Sequence, residues 1–222
     1  MLHNVAIIPN EFENQKSNFV ARLSKSGIPL YCAPNHEGIM TNEGKQIGLD
    51  IRGGDAAFPA KCSSNSQVTL SQQMMPSDAN PLGNVHGGHI MKLIDEAGGL
   101  AAMRHARRPV VTVAIDSITF LSPVRVGHLL TLRSSVNWVG HTSIEVGIRV
   151  EAENPISGEI THTNSAYAVF VALDDRGKPC SVPPLILEND KDRRHWDEAV
   201  VRQEFRLQVV NRKQKRDHDE TR

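Results

Sequence analysis

The residues best suited to chemistry in this 222-residue chain stand together near its middle. Asn84, Val85, His86, Gly87 and Gly88 form the run N-V-H-G-G, and Asp95 and Glu96 follow about two turns further on if the segment is helical. A glycine pair at a helix start lets a ligand approach the backbone closely. The N–H groups of a first helical turn have no partner within the helix, and the helix dipole favours negative charge there. Such amides suit an oxyanion. The plainer reading is that Gly87 and Gly88 only permit tight packing. Asp95 follows the apolar Ile94 and shares a helix flank with Met91, Gly98 and Ala102, where a carboxylate can serve as a general base. A surface carboxylate paired with Lys92 is the alternative.

Other chemistries find no motif. There is no G-x-S-x-G, H-E-x-x-H, Walker loop or G-x-G-x-x-G. His86 and His89 stand three apart with no cysteine or third histidine close by, so no metal site is expected and His86 reads as a helix cap or a substrate-edge residue. Cys32, Cys62 and Cys180 are odd in number and widely spaced, which fits neither a disulfide framework nor a zinc site and suggests a reducing compartment.

The elements that must position these groups can be read from periodicity. Residues 67–75 read as a short strand and 76–84 as a dense turn. Residues 86–106 read as a helix whose Ile90, Leu93, Ile94, Ala97 and Ala101 form one apolar stripe. Pro109 ends it, and Arg107 and Arg108 suit its C-terminus. Strands are expected over 110–121, 128–139, 142–153 and 158–175. In the third of these, Ile144, Val146, Ile148 and Val150 alternate with Glu145, Gly147, Arg149 and Glu151. Short connections make the strands antiparallel neighbours. Small residues on the helix (Gly98, Gly99, Ala101, Ala102) allow a sheet to wrap closely around it, giving an α+β layout rather than a doubly wound one.

The flanks differ. Residues 1–65 show no sustained periodicity beyond a possible short helix at Asn18–Leu23, and are expected to be a poorly ordered extension. Residues 188–222 are expected to hold a helix over 190–207, with a partial apolar stripe of Trp196, Val200, Val201 and Phe205, and then a disordered charged tail. Lysine and arginine balance aspartate and glutamate at 25 each, which gives no reason to expect nucleic acid as a partner. No apolar run reaches the ~20 residues needed to cross a bilayer, so no membrane insertion and a cytoplasmic location are expected.

The run P-S-D-A-N-P-L-G-N-V-H-G-G-H-I-M-K-L-I-D-E-A-G-G (76–99), the F-L-S-P-V-R-V-G of 120–127 and the strand from Thr142 resemble the hotdog acyl-CoA thioesterases of the brain cytosolic hydrolase type and their single-domain bacterial relatives. The resemblance covers 66–187 and leaves out both flanks. It implies a hotdog fold, an antiparallel five-stranded sheet wrapped around one long helix. It implies fatty acyl-CoA as substrate and coenzyme A as part of substrate and product, with no cofactor required. It also implies sites formed between two hotdog units. With one unit per chain, that means a homodimer at least, extending to a homohexamer built as a trimer of dimers.

Carried over residue by residue, the resemblance assigns Asn84 as the orienting amide, Asp95 (or its neighbour Glu96) as the acid, and the Gly87 and Gly88 amides as oxyanion donors, with Asn84 and Asp95 supplied by different subunits. So lean a set can suffice for a thioester. Its carbonyl is electrophilic and its leaving thiol has a pKa of about 8.5, so a placed water, a base and oxyanion donors are enough. For the coenzyme A phosphates the candidates are Thr142 and Ser143, with Arg149 and Lys178 as further cations. Two other readings stand beside hydrolysis: a hotdog hydratase or dehydratase using His86 with Asp95, and a non-catalytic acyl-CoA-binding module.

Overall fold

The computed structural model describes residues 59–220, with side chains through Val210 and at Arg212, together with two short strands, Tyr31–Cys32 (β1) and Ile39–Met40 (β2), which pair antiparallel. The helix considered at Asn18–Leu23 lies outside the described residues. So does the rest of the segment expected to be poorly ordered, up to residue 58.

The apolar stripe of the central segment forms a helix, Gly87–Ala106 (α1). Its N-cap is His86, whose Nδ1 accepts the Gly88 amide at 3.0 Å. It ends where Arg107 turns into the left-handed region at φ 53° and donates its amide to the Met103 carbonyl. Ile94, Ala97, Ala101 and Ala102 are fully buried, as the i, i+3, i+4, i+7 spacing requires.

Around α1 curls one antiparallel sheet of five strands in the order β4-β6-β7-β8-β5. These are Val68–Gln73 (β4), Val110–Phe120 (β5), Leu129–Val139 (β6), Ser143–Glu153 (β7) and Ile160–Ala172 (β8). This is the hotdog arrangement. The expected alternation of faces holds in β7, where Ile144, Val146 and Val150 are fully buried against the helix side, but the other face is not wet throughout, because Glu145 is fully buried there. The close approach of helix and sheet is tightest at Gly98, where a Cβ would stand 2.9 Å from the Phe170 ring.

Two features lie beyond the sequence reading. Order begins upstream of residue 66. Lys61–Cys62 (β3) pairs parallel with Leu185–Ile186 (β9), and a 3-10 turn over Ser63–Ser66 follows. The C-terminal helix Asp190–Glu220 (α2) continues through the tail that was expected to be disordered. Lys, Arg, Gln and Glu are good helix formers, and a helix already anchored upstream extends without paying nucleation again. The anchored face agrees with the expected stripe at Trp196 and differs from it further on. Ala199 is fully buried and Trp196 packs on the core, with its ring centroid 6.3 Å from that of Trp138, whereas Val201 and Phe205 point to solvent.

Candidate functional site

Two motifs that are specific only in combination form the walls of one cleft. Asn80, Asn84, Val85, Gly87 and Ile90 line one side, and Phe120 through Val124 line the other, around a volume of about 300 Å³. The walls are tied by the backbone: Val85 N donates to Val124 O at 2.8 Å, and Asn84 bridges to Arg125. Gly87 faces the Phe120 ring, which would stand 3.4 Å from a Cβ at that position. A side chain there would fill the entrance to the helix N-terminus.

The turn between Asn80 and Asn84 is closed by Asn80. Its Oδ1 accepts the amides of Leu82 at 2.9 Å and Asn84 at 3.3 Å, and its backbone N–H donates to Asn84 O at 2.7 Å. This fixes the Asn80 side chain through its Oδ1. Asn84 lines the same cleft and is half-buried. The Gly88 amide, one of the two expected oxyanion donors, is engaged by His86.

Asp95 stands apart from this cleft. Eight residues separate it from Gly87, which on a helix is about 12 Å. It is half-buried, and its Oδ1 accepts the Thr112 hydroxyl from β5 at 2.6 Å. The surface pairing considered for it does not occur, because Lys92 pairs with Glu96 at 3.5 Å instead. Glu96, the neighbouring acid, is thus a surface group. Exposed apolar side chains recur on both elements, Met91, Leu100 and Met103 on α1 and Val111, Val113 and Ile115 on β5, with the charged Lys92 and Glu96 also exposed on α1. β5 is an edge strand, so its outer backbone groups meet no strand among the described residues.

The coenzyme A candidates do not form one cluster. Thr142 is buried in the turn before β7, and its carbonyl accepts the Ala172 amide, with Ser143 beside it. Lys178 lies at the same end of the sheet, in a turn where its amide donates to Asp174 Oδ1 at 2.9 Å. Arg149 is six residues along β7 from Ser143, roughly 20 Å away. Its Nε donates to Glu151 Oε1 at 2.9 Å, and with Arg133 it holds that carboxyl below its usual range. Among the described residues no group of His, Cys, Asp or Glu is arranged to hold a metal ion, and no helix is long and apolar enough to cross a membrane.

Asn80 and Thr112 were missed by sequence reading. Thr112 carries no local signal, since only the sheet brings it to Asp95. Asn80 sits four residues before Asn84, and an asparagine following a turn-forming acid was legible as an Asx-type turn.

Comparisons place this geometry among known proteins. The family profile of the thioesterase superfamily matches residues 82–159. The acyl-CoA thioester hydrolase YkhA of Bacillus subtilis, itself uncharacterized, is 36% identical over 137 residues, 62% of this chain and 80% of that protein. An acyl-CoA hydrolase from Staphylococcus aureus, solved with butyryl coenzyme A, coenzyme A and coenzyme A disulfide, superposes with a TM-score of 0.66 at 34% identity, covering 72% of this chain and 98% of that one. A hexameric acyl-CoA thioesterase superposes at 0.67 and 35% identity, covering 69% and 98%. The Staphylococcus enzyme has also been solved with alanine replacing an asparagine, an aspartate and a threonine at its positions 28, 43 and 60.

Proposed function

Because the chain belongs to the thioesterase superfamily, as one of its acyl-CoA thioester hydrolases, we propose that it hydrolyses fatty acyl-CoA to the free acid and coenzyme A, with Asp95 as the base. The observation that carries this reading is the half-buried Asp95 carboxylate held by the Thr112 hydroxyl at 2.6 Å. Asn80, Asp95 and Thr112 reproduce, in type and interval, the three positions replaced in the Staphylococcus hydrolase. This spacing favours Asn80 over Asn84 as the orienting amide.

The chemistry follows from the groups. Asp95 draws a proton from a water whose oxygen attacks the thioester carbon. The carbonyl oxygen gains charge and is met by the Gly87 amide at the helix N-terminus and by the Asn80 Nδ2. The C–S bond then breaks, and the departing coenzyme A thiolate takes up a proton. Gly88 joins the donors only if His86 releases its amide. Neither metal nor covalent nucleophile is required.

In one chain the cleft and Asp95 are about 12 Å apart along α1, so one site takes its asparagine and glycine from one subunit and its acid from another. The exposed apolar side chains of α1 and β5 and the open edge of β5 are the surfaces available for such a homodimer. The hexameric relative supports a homohexamer as the full assembly. A cytoplasmic setting is supported by the name of a relative, the cytosolic acyl coenzyme A thioester hydrolase of Mus musculus, 32% identical over 158 residues. The domain spans 66–187 with the β3 segment added, and coenzyme A phosphates meet Thr142, Ser143 and Lys178 in preference to Arg149.

The test is thiol release from acyl-CoAs of graded chain length. Asp95→Ala should lower kcat by about 10²–10⁴-fold, and Asn80→Ala should cost more than Asn84→Ala. Absence of thiol release from every acyl-CoA by the wild-type chain defeats the reading. Hydration of an enoyl-CoA by that same protein would favour a hydratase.

A further inference from the structure

We propose that α2 acts on the Asp95–Thr112 pair from the opposite face of the sheet, with Arg206 and Asp116 as positioning residues that brace strand β5. Its consequence for activity rests on the thioesterase reading above; the brace itself does not.

Thr112 pairs with Phe170, whose ring lies against α1, so Thr112 is on the inner face. Asp116, four residues on, would face the same way in a regular strand, because side chains alternate with period two. It does not. The register slips between Thr112 and Ala114 and again between Ile115 and Ser117, leaving Val113 and Asp116 as extra residues. The first slip reverses the alternation, and Asp116 meets Arg206 of α2 on the outer face.

Bulges interrupt the ladder and bend the strand that carries them. With two of them so close on an edge strand, the bonds to β8 hold this stretch of β5 poorly. Yet it is the stretch that must keep a hydroxyl 2.6 Å from a carboxylate.

The brace is itself anchored. Arg206 Nη2 donates to Glu145 Oε2 at 2.8 Å, and its Nε donates to Gln203 Oε1 at 3.0 Å. Glu145 is fully buried on β7 and also accepts Arg202 through Nε at 3.1 Å and Nη2 at 2.7 Å. Arg202 lies 3.6 Å over the Tyr167 ring of β8. Since β8 lies between β7 and β5, Arg206 spans it and ties the edge strand to an inner one. Arg202 shares the anchor and has no bond to β5, so it separates bracing from docking of α2.

The experiment uses the full chain and four variants: Asp116→Asn, Arg206→Gln, Asp116→Glu and, as control, Arg202→Gln. Amide hydrogen exchange across 110–118 should rise several-fold in Asp116→Asn and Arg206→Gln, and stay at the wild-type level in Arg202→Gln and Asp116→Glu. With acyl-CoA, Asp116→Asn should lose on the order of tenfold in kcat at unchanged KM. Asp116→Glu should restore most of the rate. Wild-type exchange and wild-type kcat in a folded Asp116→Asn overturn the proposal, as does an equal rise in exchange in Arg202→Gln. If exchange responds as described but the wild-type chain hydrolyses no acyl-CoA, the brace stands and the functional reading falls.

Discussion

The two long helices lie on opposite faces of one sheet and are held there by different means. Helix α1 sits within the curl of the sheet on small and aliphatic side chains. Ile94, Ala97, Ala101 and Ala102 are fully buried, and Gly98 brings the backbone against Phe170. Helix α2 lies on the outer face and is held by Trp196, by Ala199, and by Arg202 and Arg206 on a buried Glu145. Apolar burial is roughly proportional to area and tolerates small shifts. A buried carboxylate demands its partners and fixes the helix in register. The inner helix therefore supplies the core, and the outer one supplies a defined angular setting, which suits a brace.

The largest effect should come from breaking the outer attachment at its anchor. Glu145→Leu leaves Arg202 and Arg206 facing each other over the sheet. Removing one partner from a buried ion pair costs about 3–5 kcal/mol. The arginines keep 21% and 16% of their side chains in solvent, so the lower end applies. Urea unfolding should show a loss near ~3 kcal/mol. A change below ~1 kcal/mol would mean that Trp196 and Ala199 hold α2 by themselves.

On the inner helix, two adjacent glycines should respond with opposite signs. A Cβ at Gly98 meets Phe170 at 2.9 Å, whereas one at Gly99 meets nothing nearer than 3.7 Å. Alanine gains up to ~1 kcal/mol in helix propensity at either site. At Gly98 overpacking costs about 1–3 kcal/mol and wins, so Gly98→Ala should melt earlier. Gly99→Ala should melt later, and the same sign at both sites would show that the helix can lift from the sheet.

The inner helix also carries a pH dependence. His105 is fully buried. Its Nε2–H donates to Pro183 O at 2.8 Å, and its Nδ1 accepts Ser66 Oγ at 3.1 Å. Burial holds its pKa below the ordinary value. The Pro183 bond opposes that shift, and the Lys61 charge adds to it. The unfolded chain therefore binds this proton more readily than the folded one. This contribution to stability is complete above about pH 6.5 and is lost as the pH falls below it. His105→Gln, which can keep both hydrogen bonds, should flatten the fall between pH 7 and pH 5 in urea titrations. An equally steep fall in that variant would assign it to another group.

What was legible in the sequence follows the same division. The stripe of α1, the alternation of β7 and the short antiparallel connections are apolar patterns with fixed periods, and they appear within a residue or two of where periodicity placed them. Much of the attachment of α2 is made by charged residues, which an apolar pattern does not report, so of the stripe assigned to Trp196, Val200, Val201 and Phe205 only Trp196 packs on the core, while Val201 and Phe205 are 65% and 66% exposed. At the site, Asp95 and the glycine pair announce themselves within one helix. Thr112 does not, because a strand residue meets a helix acid only through the pairing of β5 with the rest of the sheet, which no local pattern reports. The β3–β9 pairing was hidden likewise, as a two-residue parallel contact across more than half the chain.

The smallest expected effect is the one that most directly tests the contrast. If α2 is held by charge, its exposed apolar residues contribute little to the folded chain. Surface substitutions away from buried contacts usually stay within about ±0.5 kcal/mol. Val201→Gln with Phe205→Gln should therefore leave the urea midpoint where it was. These positions lie four apart and share one face of the helix, so the pair removes the whole exposed stripe at that point. A loss above ~1 kcal/mol would require that surface to be covered by something apolar. If the loss grew smaller on dilution, the cover would be another copy of the chain. The outer helix would then be held as the inner one is, by apolar burial, with its ion network setting direction alone.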